Sequence, residues 1–269
     1  MGSQNYLEAI DPTSGTWTHR FFPASGKAYF GPVLGDNGYI YQGFGDRIYA
    51  VDFSNGVDVV WESTAMLGQI SSAPSLHGDV LYIGTSSGHL YALDSNTGSV
   101  LDGWPFQTNS RVNHYPVIDD DGNIYVTAAD KLHKIDSNGN ELWEFEPSNT
   151  SSFYCSPAVG NNQVIHAGDV YEDGLLYVCR GNHIVAIDKN GQKVWDEGVG
   201  VPIYSITLDV NENLYFGHGE YLHSIKPNGN TNWKDFNVYG RVESQVVIGA
   251  NGNLYFGTNN PEKVYSIKE

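Results

Sequence analysis

In a chain with few cations, Lys27, Gln69, Arg111, Ser152, Val201 and Arg241 stand at one level of a repeated segment, in KAYFGP, QISSAP, RVNHYP, SFYCSP, VPIYSI and RVESQV. Two residues further on come Tyr29, Ser71, Asn113, Tyr154, Ile203 and Glu243, followed by Phe30, Ser72, His114, Cys155, Tyr204 and Ser244. Lysine and arginine donate charge-assisted hydrogen bonds to carboxylates, and tyrosine rings stack on flat or sugar-like surfaces. The chemistry on offer is therefore recognition of an anionic or carbohydrate-like ligand, or of a carboxylate-bearing loop of a partner. Catalysis at the same place would need an acid, a base and a cation, and only His114, Tyr154, Tyr204, Arg111 and Glu243 qualify. The chain carries no G-x-S-x-G elbow, Walker loop, dinucleotide fingerprint or HExxH pair.

Three other features have chemical content. Cys155 and Cys179 align with Ser72 and Gly84 of another copy, which puts them on neighbouring antiparallel strands. A cross-strand disulfide in an oxidising compartment and a pair of buried thiols are both open readings. One repeat carries an insertion, SPAVGNNQVIHAGDVYEDGLLYV, bearing His166, Asp169, Tyr171, Glu172 and Asp173. It reads as an extended hairpin, all of exposed-loop residue types, that covers an edge or meets a partner. The acidic turns of IDDDGNIYV, with Asp119, and LDVNENLYF, with Asp209, resemble calcium loops but lack the distal glutamate, so β-turn chemistry accounts for them. No metal and no cofactor are expected.

The elements that position these residues repeat from end to end. All six tryptophans, Trp17, Trp61, Trp104, Trp143, Trp195 and Trp233, follow an apolar run and a polar turn, as in HIVAIDKNGQKVW. Upstream lies an alternating strand with Tyr41, Tyr82, Tyr125, Tyr177, Tyr215 or Tyr255, as in VLYIGT. Before that comes a short strand, four of whose copies carry a proline suited to a strand entrance. Turns such as SNG and KNG supply positive φ. Four antiparallel strands per repeat of about 40 residues is the pattern of a propeller blade. The sequence predicts an all-β, six-bladed β-propeller, one domain over residues 1–269, closed by pairing of N- and C-terminal strands. Trp17 would supply the fourth strand of the blade built by residues 244–268.

Acidic residues outnumber basic ones 31 to 14, a net charge of −17 that disfavours nucleic acid and anionic lipid as partners. No apolar run is long enough to span a bilayer, and the N-terminus lacks the two regions of a signal peptide.

The repeat, clearest in SAPSLHGDVLYIGTSSGHLYALDSNTGSVLDGW, resembles that of the pyrroloquinoline-quinone-like propeller superfamily. That resemblance spans nearly the whole chain. It implies a tryptophan docked between blades and a role among quinone-dependent dehydrogenases, BamB-type assembly scaffolds or secreted proteins. The dehydrogenases resemble eight-bladed rings with a calcium-bound quinone and often an adjacent cysteine pair, which this chain lacks. The expectation is a non-enzymatic module outside the cytoplasm that binds a protein or a glycan where the loops converge. The alternatives are a quinone-dependent or polysaccharide-acting enzyme, and a structural repeat of a larger surface protein.

Overall fold

The computed structural model describes residues 5–147 and 152–268, and among them every regular element is a strand. An N-terminal hairpin pairs β1 (Leu7–Ile10) with β2 (Trp17–Phe21). Six four-stranded sheets follow. The first two run in order β3 (Val33–Leu34), β4 (Ile40–Phe44), β5 (Arg47–Asp52), β6 (Asp58–Glu62), then β7 (Ser75–His77), β8 (Val80–Gly84), β9 (His89–Asp94), β10 (Phe106–Gln107). The third holds β11 (Val117–Ile118), β12 (Ile124–Ala128), β13 (Lys131–Ile135) and β14 (Glu141–Phe145). In the fourth, a two-stranded hairpin, β16 (Val164–His166) and β17 (Asp169–Tyr171), interrupts the step from β15 (Ala158–Val159) to β18 (Leu176–Arg180), before β19 (His183–Ile187) and β20 (Lys193–Gly198). The fifth holds β21 (Thr207–Leu208), β22 (Leu214–His218), β23 (Tyr221–Ile225) and β24 (Thr231–Asn237). The last holds β25 (Arg241–Val242), β26 (Val247–Ile248), β27 (Asn253–Asn259) and β28 (Lys263–Lys268). The chain divides into two compact units, residues 1–129 with 133–142, and residues 130–132 with 143–269.

Within each unit the tryptophan locks one sheet to the next. Its indole Nε1 donates to the backbone carbonyl just past the third strand of the following sheet: Trp61 to Ser95 at 2.8 Å, Trp104 to Ser137 at 3.3 Å, Trp143 to Lys189 at 2.9 Å and Trp195 to Pro227 at 3.0 Å. Buried rings with a satisfied N–H combine large apolar area with a fixed orientation. The turn beneath each indole explains its glycine. Gly191 needs φ +82°, and a Cβ there would meet Trp143 Cδ2 at 2.9 Å. Glycine therefore meets both the turn geometry and the close approach of the ring. The Tyr-x-Gly strands have a similar cause, since a Cβ on Gly43 would meet Ile70 Cγ2 at 2.9 Å. Tyr41, Tyr125, Tyr177 and Tyr215 are fully buried.

Trp17 is the exception, and its expected docking between sheets is corrected. Strand β2 pairs with β1, and in the last sheet β25 and β26 pair with successive stretches of one edge of β27 while β28 pairs with the other, so that sheet is three strands wide among the described residues. Elsewhere a tryptophan faces the small residue before the last apolar position, as in Ala50 with Trp61 and Ala186 with Trp195. In β1 that small residue, Ala9, faces His19, while Trp17 faces Ile10. The turn DPTSGT is one residue shorter than DKNGQKV, which moves the tryptophan out of the slot. His19 occupies it and stacks on Phe53 at 6.0 Å. Trp17 is 58% exposed, with the Arg20 guanidinium 4.6 Å above its ring.

The turn carboxylates predict an acid response. Asp52 and Asp136 sit below the usual carboxylate range, Asp52 chiefly through the Ser54 N–H and Asp136 chiefly through the Asn140 amide. A depressed folded-state value stabilises the fold above the unfolded value near pH ~4 and is lost as pH falls through it. Asp52→Asn with Asp136→Asn should therefore leave a smaller drop in melting temperature between pH 5 and pH 3 than the wild type shows. An unchanged drop would sink this account.

Candidate functional site

The segments leading into the inner strands alternate between solvent and core, except in the second sheet, where Ile70, Ser71 and Ser72 are all buried. Lys27, Gln69, Arg111 and Arg241 are exposed, and the residues after the last three, Ile70, Val112 and Val242, are buried. Exposure returns one position later at Tyr29, Asn113 and Glu243, with Tyr29 at 58%, whereas Ser71 is buried and donates to the Val112 carbonyl. Pro32, Pro74, Pro116 and Pro157 each stand immediately before their strand.

The fifth sheet corrects the sequence alignment by one residue. Ile203 N donates to Gly181 O at 3.3 Å, as Ile70 N does to Gly45 O and Val242 N to Gly219 O. Pro202 rather than Val201 therefore shares the level of Arg241, and Tyr204 shares that of Tyr154. Tyr154 and Tyr204, 43% and 45% exposed, meet edge to face at 6.3 Å. Arg241 lies 3.7 Å from Glu243, both well exposed, a pairing that solvent screens. Asn259 donates to Glu243 at 3.3 Å.

One position deeper, the side chain satisfies the neighbouring strand. Ser72 Oγ accepts from Gly84 N at 2.8 Å, and Ser244 Oγ from Gly257 N at 2.7 Å. His114 Nδ1 meets Thr127 Oγ1 at 3.1 Å. In the fourth sheet the same place holds Cys155, bonded to Cys179 in a disulfide with Cα atoms 5.5 Å apart. The insertion leaves this register untouched, because it lies at the far end of β15.

That insertion is less exposed than its composition suggests. Ala167 and Gly168 take positive φ at the hairpin tip, and Ile165 and Val170 are exposed. Tyr171, however, packs against the buried cluster of Trp195 and Ile206, and His166 Nδ1 is 2.9 Å from Asn228 O. Glu172 accepts from Gln163 at 2.6 Å, and Asp169 is exposed. Glu212, which the sequence reading passed over, anchors the root of the hairpin. Its carboxylate accepts Asn161 N at 2.5 Å and Asn162 N at 2.6 Å, and it is 5% exposed. Glu212 takes φ +60° in its own turn.

The acidic turns are filled by their own chain. Asp119 accepts Asn123 N at 2.8 Å and Tyr125 OH at 2.9 Å, and Asp209 accepts Asn213 N at 2.8 Å and Tyr215 OH at 3.0 Å. Burial, then the Asp119 charge, pushes the Tyr125 phenol far up. In the N-terminal unit a 480 Å³ cleft lies between the hairpin and the approach to β3, lined by Tyr6, Ile10, Tyr29, Phe30, Pro32 and Gln42 among others. Gln42 Nε2 donates to the Phe30 carbonyl at 3.1 Å on its floor.

Sheets of four antiparallel strands, locked by tryptophan and displaying aromatic and cationic side chains on the approaches to their inner strands, define a β-propeller of quinoprotein-type repeats. Solved propellers share the fold: BamB from Moraxella catarrhalis, at TM-score 0.72 and 17% identity, covers 98% of this chain and 80% of its own. The WD40 propeller domain of Doa1 reaches TM-score 0.70 at 16% identity, over 99% and 88%. The chain belongs to the family described as outer membrane protein assembly factor BamB, whose profile matches residues 3–110 and 102–260. The BamB of Shewanella oneidensis is 30% identical over 80 residues, 30% of this chain and 20% of that protein. The serine/threonine-protein kinase AfsK of Streptomyces griseus is 30% identical over 139 residues, 47% of this chain and 16% of the kinase. The matched segments thus span a fifth or less of those relatives. No helix long and apolar enough to cross a membrane occurs among the described residues.

Proposed function

We propose that this protein is a non-enzymatic propeller scaffold that binds a protein or glycan through the approaches to its inner strands. In the N-terminal unit the contact residues are Lys27, Tyr29, Gln69, Arg111, Asn113 and His114. In the C-terminal unit they are Tyr154, Tyr204, Arg241 and Glu243. The carrying observation is the alternation just described: packing uses every second side chain and leaves cations and tyrosines to solvent in an acidic chain. Exposed large aromatics beside arginine are the anchors that interfaces favour. In this reading the six sheets are the blades of a single ring over residues 1–269, with the N-terminal hairpin supplying the strand that closes the last. The six sheets that follow the N-terminal hairpin support that count. The disulfide and the family's outer-membrane description support a site of action outside the cytoplasm.

The test is co-purification of the intact protein with its partners from native envelope extracts. Arg111→Ala with Arg241→Ala should weaken capture about tenfold or more, since each removes a charge-assisted contact. Both side chains are exposed, so stability should move by no more than about 0.5 kcal/mol. Undiminished capture would refute the assignment, and a large loss of stability would mark the arginines as structural.

A further inference from the structure

Arg180 ends β18 with its side chain 95% withdrawn from solvent, at 5% exposure. The matching positions, identified by their bridges to Ile70, Val112 and Val242, hold Thr85, Ala128 and Thr258. Repeat packing therefore has no use for a cation there. One guanidinium nitrogen, Nη2, lies 3.5 Å from Asp196 Oδ2. That carboxylate is shared with His183 at 2.6 Å and Lys193 at 3.6 Å. Nε and Nη1 of Arg180 have no hydrogen-bond acceptor among the described residues. Buried donors left without acceptors cost several kcal/mol in an apolar setting, more for a charged group.

Arg180 is also a wall of a 230 Å³ pocket completed by Phe145, Glu146, Pro147, Val185, Lys193 and Asp196. Phe145, Pro147 and Val185 give it apolar walls. Lys193, half exposed, brings a second ammonium to the edge, and Glu146, which also lines the pocket, lies 3.5 Å from Lys131. Both lining carboxylates are engaged by other side chains as well, Glu146 by Lys131 and Asp196 by His183, and the three N–H groups of Arg180 that lack an acceptor among the described residues match a small oxyanion.

We propose that this pocket binds a carboxylate, with Arg180 Nε and Nη1 as donors and Lys193 as the outer charge. The carboxylate comes from a small acid or from an acidic side chain presented by a peptide; both offer the same two oxygens. The site is separate from the inner-strand approaches and stands or falls without them. The experiment titrates acetate into the full chain at constant ionic strength held with chloride, reading the Arg180 Nε–Hε resonance. A saturable downfield shift with slowed exchange is expected, and Lys193→Gln should weaken the apparent affinity about threefold to tenfold while keeping the fold. Arg180→Gln should abolish saturation, and Lys193→Gln carries the test if that variant does not fold. Repeating the titration with N-acetyl-aspartyl amide separates the sources: saturation by both points to a presented side chain, by acetate alone to a small acid. An Arg180 signal that responds equally to chloride, or does not saturate, would overturn the proposal.

Discussion

Breaking the Cys155–Cys179 bond is expected to lower the unfolding free energy by about 3 to 4 kcal/mol, the loop-closure value for its separation of 24 residues. Both cysteines are buried, Cys155 on the approach to β15 and Cys179 in β18, so the bond also fixes the approach segment that carries Tyr154. Replacing them tests what the position needs beyond the crosslink. In the second and last sheets a serine at this level accepts the facing strand's N–H, and in the wild type Cys155 Sγ lies 3.0 Å from Cys179 N. Cys155→Ser with Cys179→Ala should thus be about 1 kcal/mol more stable than the double alanine variant, the net worth of one buried hydrogen bond. Denaturant midpoints with and without reductant provide both numbers. Equal stability of the two double variants would show that the serine in other sheets contributes nothing at this level, and an unchanged midpoint on reduction would remove the crosslink from the account.

What could be read beforehand follows the physics of repetition. Strand order, proline placement and the indole's docking recur in sheet after sheet, so each copy corrects misreading of the others. Trp17 failed because a single copy, one residue short in its turn, obeys register rather than residue type: His19 falls opposite Ala9 whatever stands two residues earlier. Tyr204 was misplaced for a similar reason. VPIYSI has one residue more before its isoleucine than a gapless alignment allows, and only the Ile203 to Gly181 hydrogen bond reveals the level.

The site residues divide along the same line. Lys27, Arg111, Arg241 and the tyrosines were legible because they depart from a consensus at aligned positions. Arg180 departs as clearly in LLYVCR, yet its significance depends on which nitrogens find acceptors, a question of distance that no spacing encodes. Glu212 was illegible because its partners, the N–H groups of Asn161 and Asn162, are backbone atoms of another sheet.

Glu212→Ala should destabilise the protein by about 3 to 5 kcal/mol, since it removes two hydrogen bonds to a buried carboxylate, each worth about 1.5 to 3 kcal/mol when one partner is charged. A second cost comes from the backbone. At φ +60° an alanine keeps the strain that a glycine relieves, so Glu212→Gly should recover about 1 kcal/mol of the loss. Glu212→Gln retains a carbonyl oxygen for one pair of N–H groups but not the charge, and should fall between the wild type and glycine. The predicted order is wild type, glutamine, glycine, alanine. Urea midpoints fix that order, and hydrogen exchange localises it: the Asn161 and Asn162 amides should lose protection first, loosening the root of the β16–β17 hairpin and with it the His166 contact to Asn228. The Cys155–Cys179 bond crosses the other end of the same strands, so amides near it should stay protected in all three variants. A glutamine variant as unstable as alanine would mean that charge alone holds the loop, and three variants within about 1 kcal/mol of the wild type would show that water replaces the carboxylate there.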